Sequence, residues 1–390
     1  GSLSDTARWH RNWNRSFVLT EESPKAGVLL LHCMSDSPYS MRHLGTRLNA
    51  AGAVVLGLRI TGHGTAPSGL VEVNWPDMAA AVRVAMLHLA TLAKGKPLYI
   101  AGYSNGAALA VHYTLETLDD DSLPKADRLV LLSPEIGITP LAALSIWQAR
   151  IGHLLGLEKL AWSSIQPEYD PFKYGSFAVN AGDVAYRLTG EIQDKITRLT
   201  VSGKIERFPP VLAFSSVVDA TVSTPELIKG LFDRLPPNDH ELVLFDVNQN
   251  AALAPFLKWD PAKVIEDLRL DRSRSFKLSL VTNDNRESRQ VRLLTLQPGA
   301  VEPSAQPLEL VWPADAFSLA HISLPFPVHD PLYGGQPQQA ESHLPLGNTV
   351  LRGERGILRV APSELLRLRW NPFYPLVESR VSDFLRLKPG

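Results

Sequence analysis

The stretch "YIAGYSNGAALAVHY", residues 99–113, sets Ser104 between Gly102 and Gly106 at the seam of two apolar runs. A serine hydroxyl is a weak nucleophile alone; it attacks when a base takes its proton and an acid orients that base. The run before it, "PLYIAGY", reads as a strand, and "NGAALAVHYTLETL" after it reads as a helix. A sharp strand-to-helix turn cramps the central residue and admits only small neighbours two positions away, hence the two glycines. Such a turn lifts the hydroxyl above the C-terminal edge of a sheet, at a helix N-terminus whose free N–H groups favour negative charge. A phosphate-binding loop is the competing use of such glycines, but neither a Walker lysine nor a GxGxxG spacing is present.

A base and an acid are expected downstream, the acid first. Four histidines lie beyond residue 207: His240, His321, His329 and His343. His240 opens the strand "HELVLFD", which puts it at the opposite edge of the sheet. His321 sits in "ADAFSLAHISLPFPVHDPLYGG", after the strand "LELVW", and is the first choice; His329 in the same loop and His343 beyond it stay open. For the acid, Asp219 follows the strand "PPVLAFSSV", with Glu135 in "LLSPEIG" and Asp246 as rivals. The oxyanion of a tetrahedral intermediate needs backbone donors. The N–H of Asn105 is one, and Cys33 or Met34 in "HCMSDSP" supplies the other. His63 in "TGHGTAPSG" reads as a turn histidine shaping the pocket wall, and His88 and His112 as helix residues at the surface or in packing.

These groups need a frame. Apolar strands at 27–32, 53–60, 97–103 and 128–133 alternate with helical patterns, the signature of a parallel sheet buried on both faces. The alternation breaks over 136–207, resumes with strands at 209–217 and 241–247, and breaks again over 249–307, where "FKLSLVTNDNRESRQVRLLTL" suggests a β-hairpin. A strand at 308–312 and a terminal helix in "YPLVESRVSDFLRL" complete the chain. Across 390 residues, 39 basic side chains nearly cancel 40 acidic ones, so no overall field favours nucleic acid or an anionic membrane. The single cysteine, Cys33, excludes an intrachain disulfide and a cysteine-based zinc site. No metal-ligand spacing stands out, and no cofactor is expected. The longest apolar runs are too short to span a bilayer. Gly1-Ser2 resembles a cloning remnant, so a leader or membrane anchor before it, and hence the cellular location, stays open.

Several landmarks match a known family in order: "LLLHCMSDSPYSMR", "LRITGHGTAPSG", "YIAGYSNGAAL", "SSVVDATVS" and "FSLAHISLPFP". Over roughly residues 25–330 the chain resembles the α/β-hydrolase superfamily, closest to its bacterial carboxylesterase, monoacylglycerol-lipase and S33-type branch. The resemblance implies an α/β-hydrolase fold with a mostly parallel central sheet flanked by helices. It implies a hydrolase core at 1–135, a helical cap insertion at 136–207, core again at 208–248, a second insertion at 249–307, and core with the catalytic histidine at 308–390. The order Ser104, Asp219, His321 agrees with the family's triad, and its oxyanion position corresponds to Met34 rather than Cys33. Trp147, Trp162, Tyr169 and Tyr174 would line a pocket under the cap. The family usually has His-Gly where this chain has His32-Cys33, so a positive φ at Cys33 would be strained. The implied activity is hydrolysis of carboxylic esters through an acyl-enzyme on Ser104, with a small ester or lipid-like substrate. No nucleic acid or obligate protein partner is expected, and oligomeric state stays open. The alternatives are an S33-type aminopeptidase or amidase, with Glu158, Glu168, Asp170 or Glu191 holding an α-amine, and a non-catalytic hydrolase-fold binding protein.

Overall fold

The computed structural model describes residues 5–137, 161–219, 221–250, 261–337, 346–348 and 366–388. Ten strands form one sheet in the order β1-β3-β2-β4-β5-β8-β9-β10-β11-β12. They are β1 (Phe17–Leu19), β2 (Ala26–Leu31), β3 (Ala53–Leu58), β4 (Leu98–Tyr103), β5 (Arg128–Leu132), β8 (Val211–Ser216), β9 (Glu241–Phe245), β10 (Lys277–Asn283), β11 (Gln290–Leu296) and β12 (Ser304–Val311). The pairings from β3 through β10 are all parallel, as the expected mostly parallel sheet requires. Strands β2, β4 and β8 are buried along their whole length, which is why "AGVLLL", "LYIAGY" and "VLAFSS" show no polar alternation. A side strand pair, β6 (Trp162–Ser164) with β7 (Phe177–Ala178), forms a separate small sheet.

The helical patterns lie where expected. Pro38–Met41 makes one 3₁₀ turn and leads into α1 (Arg42–Ala50), which ends before Gly52 at φ 97°. Helix α2 (Trp75–Ala93) starts at Asn74, whose side chain accepts from the N–H of Asp77 at 2.9 Å, with Pro76 in the first turn. Helix α3 (Asn105–Thr117) follows β4 without a linker beyond Ser104, and all but one of its residues are buried. Helix α4 (Val179–Val201) turns a buried stripe of Val184, Leu188, Ile192, Ile196 and Leu199 toward the core and packs against α3. Helix α5 (Thr224–Gly230) is capped by Ser223, and α6 (Tyr374–Leu385) is the terminal helix. Each fully buried Leu or Ile on such a face is worth about 1.5–3 kcal/mol.

Within residues 249–307, expected as an insertion with a β-hairpin, residues 251–260 lie outside the described ones, and the hairpin of β10 and β11 with the start of β12 belongs to the main sheet. Strand β10 pairs parallel with β9, and β11 and β12 then add antiparallel. Two reversals bring β12 back to the direction of β10, so its C-terminal end points to the same edge as those of β4 and β8. The hairpin thus extends the sheet without diverting the chain from that edge. Strand β12 is the exposed edge, and Pro307 within it lacks a backbone donor. Of the cap expected at 136–207, residues 138–160 lie outside the described ones, and with them Trp147 and Glu158; so does His343. Among the described residues no helix is long and apolar enough to cross a membrane, and no cluster of His, Cys, Asp or Glu could hold a metal ion.

Candidate active site

Ser104 occupies the turn between β4 and α3 at φ 55° and ψ −116°, a backbone shape that L-residues avoid. The turn is held from several sides. The N–H of Ser104 donates to the Leu132 carbonyl on β5 at 2.8 Å, and its own carbonyl accepts from Ala107 and Ala108 at 2.9 and 3.1 Å. A Cβ on Gly102 would stand 2.5 Å from the Gly106 carbonyl oxygen. A Cβ on Gly106 would stand 2.4 Å from the Leu31 carbonyl and 2.5 Å from that of His32. The first glycine lets helix follow strand; the second lets the helix start touch the end of β2, where the 32–36 loop begins. Asn105 therefore opens α3, in the first turn whose N–H groups have no carbonyl four residues back, beside the loop that carries Cys33 and Met34.

That loop is shaped by two histidines. His32 and His63 are buried with rings 5.0 Å apart. His63 Nε2 accepts from the N–H of Ser35 at 3.1 Å while its Nδ1 faces the Thr61 carbonyl at 3.0 Å; His32 Nε2 accepts from Ile60 and its Nδ1 faces the Cys33 carbonyl. An acceptor role for each Nε2 requires a neutral ring. Burial agrees, holding His63 down to about 4 and His32 well below the usual imidazole range. The positive φ of the loop falls at Ser35, at 61°, and not at Cys33, so Cys33 does not carry the strain a positive φ there would have brought. The Ser35 carbonyl in turn accepts from Tyr174 at 2.8 Å, tying the loop to residues 161–178.

At the same edge, Asp219 and His321 meet. His321 Nδ1 lies 2.9 Å from Asp219 Oδ2, and both side chains are buried. The other oxygen, Oδ1, accepts from the N–H groups of Thr221 and Val222 at 2.8 and 2.9 Å, so the carboxylate is fixed at both ends. Burial would raise the Asp219 carboxyl, but the charge and hydrogen bond of His321 hold it below the usual range. Burial would likewise lower His321; Asp219 outweighs it and raises the imidazole above its ordinary value. The Cys33 thiol adds to that rise, although it is not aligned as a hydrogen bond, since His321 Nε2 is buried without a partner. Tyr103, next to Ser104, donates its hydroxyl to the His321 carbonyl at 3.2 Å. The hydrogen bond from Ser104 Oγ to Nε2 is not formed in this conformation.

The other sequence candidates go elsewhere. Glu135 keeps a buried, unpartnered Oε2, and burial pushes its carboxyl up to about 7, the charge of His321 offsetting part of the shift. Asp246 is occupied by Thr282, Gln249 and the N–H of Val247. His240 accepts from Val211 at the opposite edge, and His329 faces the Gln336 carbonyl at the surface. His112 is buried against Trp75 in helix packing. Sequence reasoning missed the influence of Cys33 on the imidazole, and it missed a cluster of cations. A cavity of about 250 Å³ opens beside Ile322 and Ser35 and is lined by Lys173, Arg367 and Arg369. No spacing announces it, because its walls come from four separate stretches of chain. A larger cavity of about 610 Å³, between α4 and α5, is lined by Glu191 but by none of the triad or oxyanion candidates.

A comparison with curated proteins returns no match. Among solved structures, the chain is similar to one from work on LipS and LipT, metagenome-derived lipolytic enzymes, at 20% identity and TM-score 0.47, covering 60% of this chain and 87% of that one. It is similar to a monoacylglycerol lipase of Paleococcus ferrophilus at 20% identity and TM-score 0.42, covering 60% and 89%. It is also similar to a thermostable carboxyl esterase of Bacillus coagulans at 16% identity and TM-score 0.45, covering 59% and 84%. A family model described as serine aminopeptidase, S33, matches residues 22–247, a span that holds Ser104 and Asp219 and stops short of His321. With more than half of its length matched and the sheet described above, the chain belongs to the S33 serine aminopeptidase family of α/β-hydrolases.

Proposed function

We propose that the protein is a serine hydrolase of carboxylic esters. His321 Nε2 takes the Ser104 proton as the hydroxyl oxygen attacks the ester carbonyl, and Asp219 holds the imidazole with Nδ1 protonated. The N–H groups of Asn105 and Met34 receive the oxyanion. Collapse of the tetrahedral intermediate breaks the ester bond, and His321 returns the proton to the departing alcohol. Water, deprotonated by the same nitrogen, then attacks the acyl-enzyme and releases the acid and Ser104. Residues 161–178 are tied to the oxyanion loop through Tyr174 and Ser35.

One observation carries this reading: a buried imidazole bonded at 2.9 Å to a fixed carboxylate, its other nitrogen free, at the sheet edge where the elbow presents Ser104. Of the four acids named for the aminopeptidase alternative, the three among the described residues are engaged. Glu168 accepts from Gly175 and Ser176, Asp170 from Tyr333, and Glu191 pairs with Lys195 and Arg198. That favours esters over substrates with a free α-amine. A fluorophosphonate probe should label Ser104 in the folded protein. Ser104→Ala should lower hydrolysis of 4-nitrophenyl esters by roughly 10⁴-fold or more; hydrolysis at the wild-type rate by the purified variant would overturn the assignment.

A further inference from the structure

We propose that Glu135 is a positioning residue for the catalytic base: as a carboxylate it strengthens His321 as a proton acceptor, so that three groups, not the Asp219–His321 pair alone, govern when the base is ready. This rests on the hydrolase reading above and names how its base is regulated. The placement follows from the sheet. Strand β5 lies between β4, which leads into Ser104, and β8, which leads to Asp219, and all three run parallel. Strand β5 ends at Leu132 and β8 at Ser216, so Glu135 and Asp219 each stand three residues past a strand end. Ser133, at φ 41°, turns the chain off the sheet, and the N–H of Glu135 then donates to the Ser104 carbonyl at 3.3 Å. The backbone of Glu135 is therefore fastened to the elbow, at the edge where the triad meets.

Its Oε2 is buried without a hydrogen-bond partner, unlike the oxygens of Asp219, which hold His321, Thr221 and Val222. An unpaired buried carboxyl weakens a fold rather than securing it. Among the described residues, the charged groups that act on it are His321 and Asp219. Against the imidazole itself, the other titratable neighbours are Cys33 and Tyr103; burial holds the Tyr103 phenol well above its usual range and hence neutral. Burial pushes the Glu135 carboxyl up to about 7, with His321 pulling it down and Asp219 pushing it up. Burial lowers His321, but Asp219 outweighs it and lifts the imidazole to about 10, so Glu135 loses its proton first as pH rises. From then on its charge adds to that of Asp219. His321 gives up its proton at higher pH, and the imidazolium formed as Ser104 attacks is lower in energy. Below that range Glu135 is neutral and adds nothing.

Glu135→Gln keeps the shape and removes the charge. Because the folded carboxyl titrates above its ordinary 4.5, its ionisation costs the native state stability as pH rises past that value. The variant should therefore be no less stable than the wild type at about pH 8, with Tm as the check. With 4-nitrophenyl butyrate, its kcat/KM should begin to rise about one pH unit lower than that of the wild type and level off about threefold lower, so that the two profiles cross. A residue that only packed would change activity by one factor at every pH. Glu135→Asp, which keeps the charge, should restore the wild-type limb. Profiles that coincide, or that differ by one factor throughout, would overturn the proposal. A readout without turnover separates it from the hydrolase reading. In Ser104→Ala, the Nδ1 proton shared by His321 and Asp219 gives a downfield NMR signal that follows the titration of the imidazole. Adding Glu135→Gln should move that titration about one unit lower. An unmoved titration defeats the proposal even where Ser104 turns over esters; a protein inert to esters would strike the hydrolase reading and leave the shift to decide the coupling.

Discussion

The elbow that carries Ser104 and the loop that carries His321 end at the same edge of the sheet, yet they are fixed by opposite means. Ser104 is held by backbone: two glycines within two residues, one hydrogen bond to β5, and a helix that starts at the next residue. The His321 loop is held by side chains from far away. Asp330, fully buried, accepts from Arg42 at 2.9 Å and from the Tyr39 hydroxyl at 3.0 Å, both at the start of α1. Asn371, just before α6, bonds the Leu324 and Phe326 carbonyls through its side chain and its N–H. A nucleophile must sit at one strained place and can be set by steric necessity. The base of the proposed mechanism needs orientation, and partners distant in sequence hold the loop that carries His321. The two kinds of support should fail differently when broken.

The largest effect expected is at the junction of the two regions. Asp219→Asn removes the charge that orients His321 and leaves the elbow untouched. In the triad logic the wrong tautomer then dominates, and kcat should fall by roughly 10⁴-fold with little change in Tm. The pH profile should move as well. Since Asp219 raises the His321 pKa, the neutral base appears in the wild type only above the ordinary imidazole range, and activity should climb with pH through that region. Without the carboxylate, burial dominates and the rising limb should shift to lower pH. A limb that stays in place would mean that another group, such as Glu135, sets it.

Next in size is the anchor of the histidine loop. Arg42→Met strips the guanidinium from a carboxylate that no water reaches, and removing one member of a buried pair typically costs about 3–5 kcal/mol. Urea unfolding should report that loss. Adding Asp330→Asn should recover part of it, because the uncompensated charge is then gone. If the double variant is as destabilised as the sum of the single ones, the pair is not what secures the loop.

The same contrast explains what could be read from the residues alone. Gly102, Ser104 and Gly106 are legible because their constraints act within one turn, and the order of Asp219 and His321 followed from which strands end at which edge. Strands β10 and β11 were misjudged as an insertion because a hairpin's pattern says nothing about which sheet it joins; the pairing of Lys277 with Glu241 is a tertiary fact. A positive φ at position 33 would have strained Cys33, but the loop takes it at Ser35, whose N–H donates to His63. Arg42 with Asp330, and Lys173 with Arg369, join stretches separated by nearly two hundred residues or more, and no local period encodes such meetings.

The smallest effect probes the elbow itself. At φ 55° and ψ −116° Ser104 has the backbone of the first central residue of a type II′ turn, where glycine is at home and an L-residue stores about 1–3 kcal/mol. Ser104→Gly releases that strain. Against it stands the extra freedom of glycine in the unfolded chain, about 0.5–1 kcal/mol. The difference leaves a net stabilisation of roughly 1 kcal/mol in a variant without its nucleophile. Thermal unfolding of Ser104→Gly beside Ser104→Ala isolates the term, because alanine removes the hydroxyl but keeps the strain. A glycine variant no more stable than the alanine one would mean that the turn holds Ser104 without cost, and that the elbow is no more strained than the histidine loop.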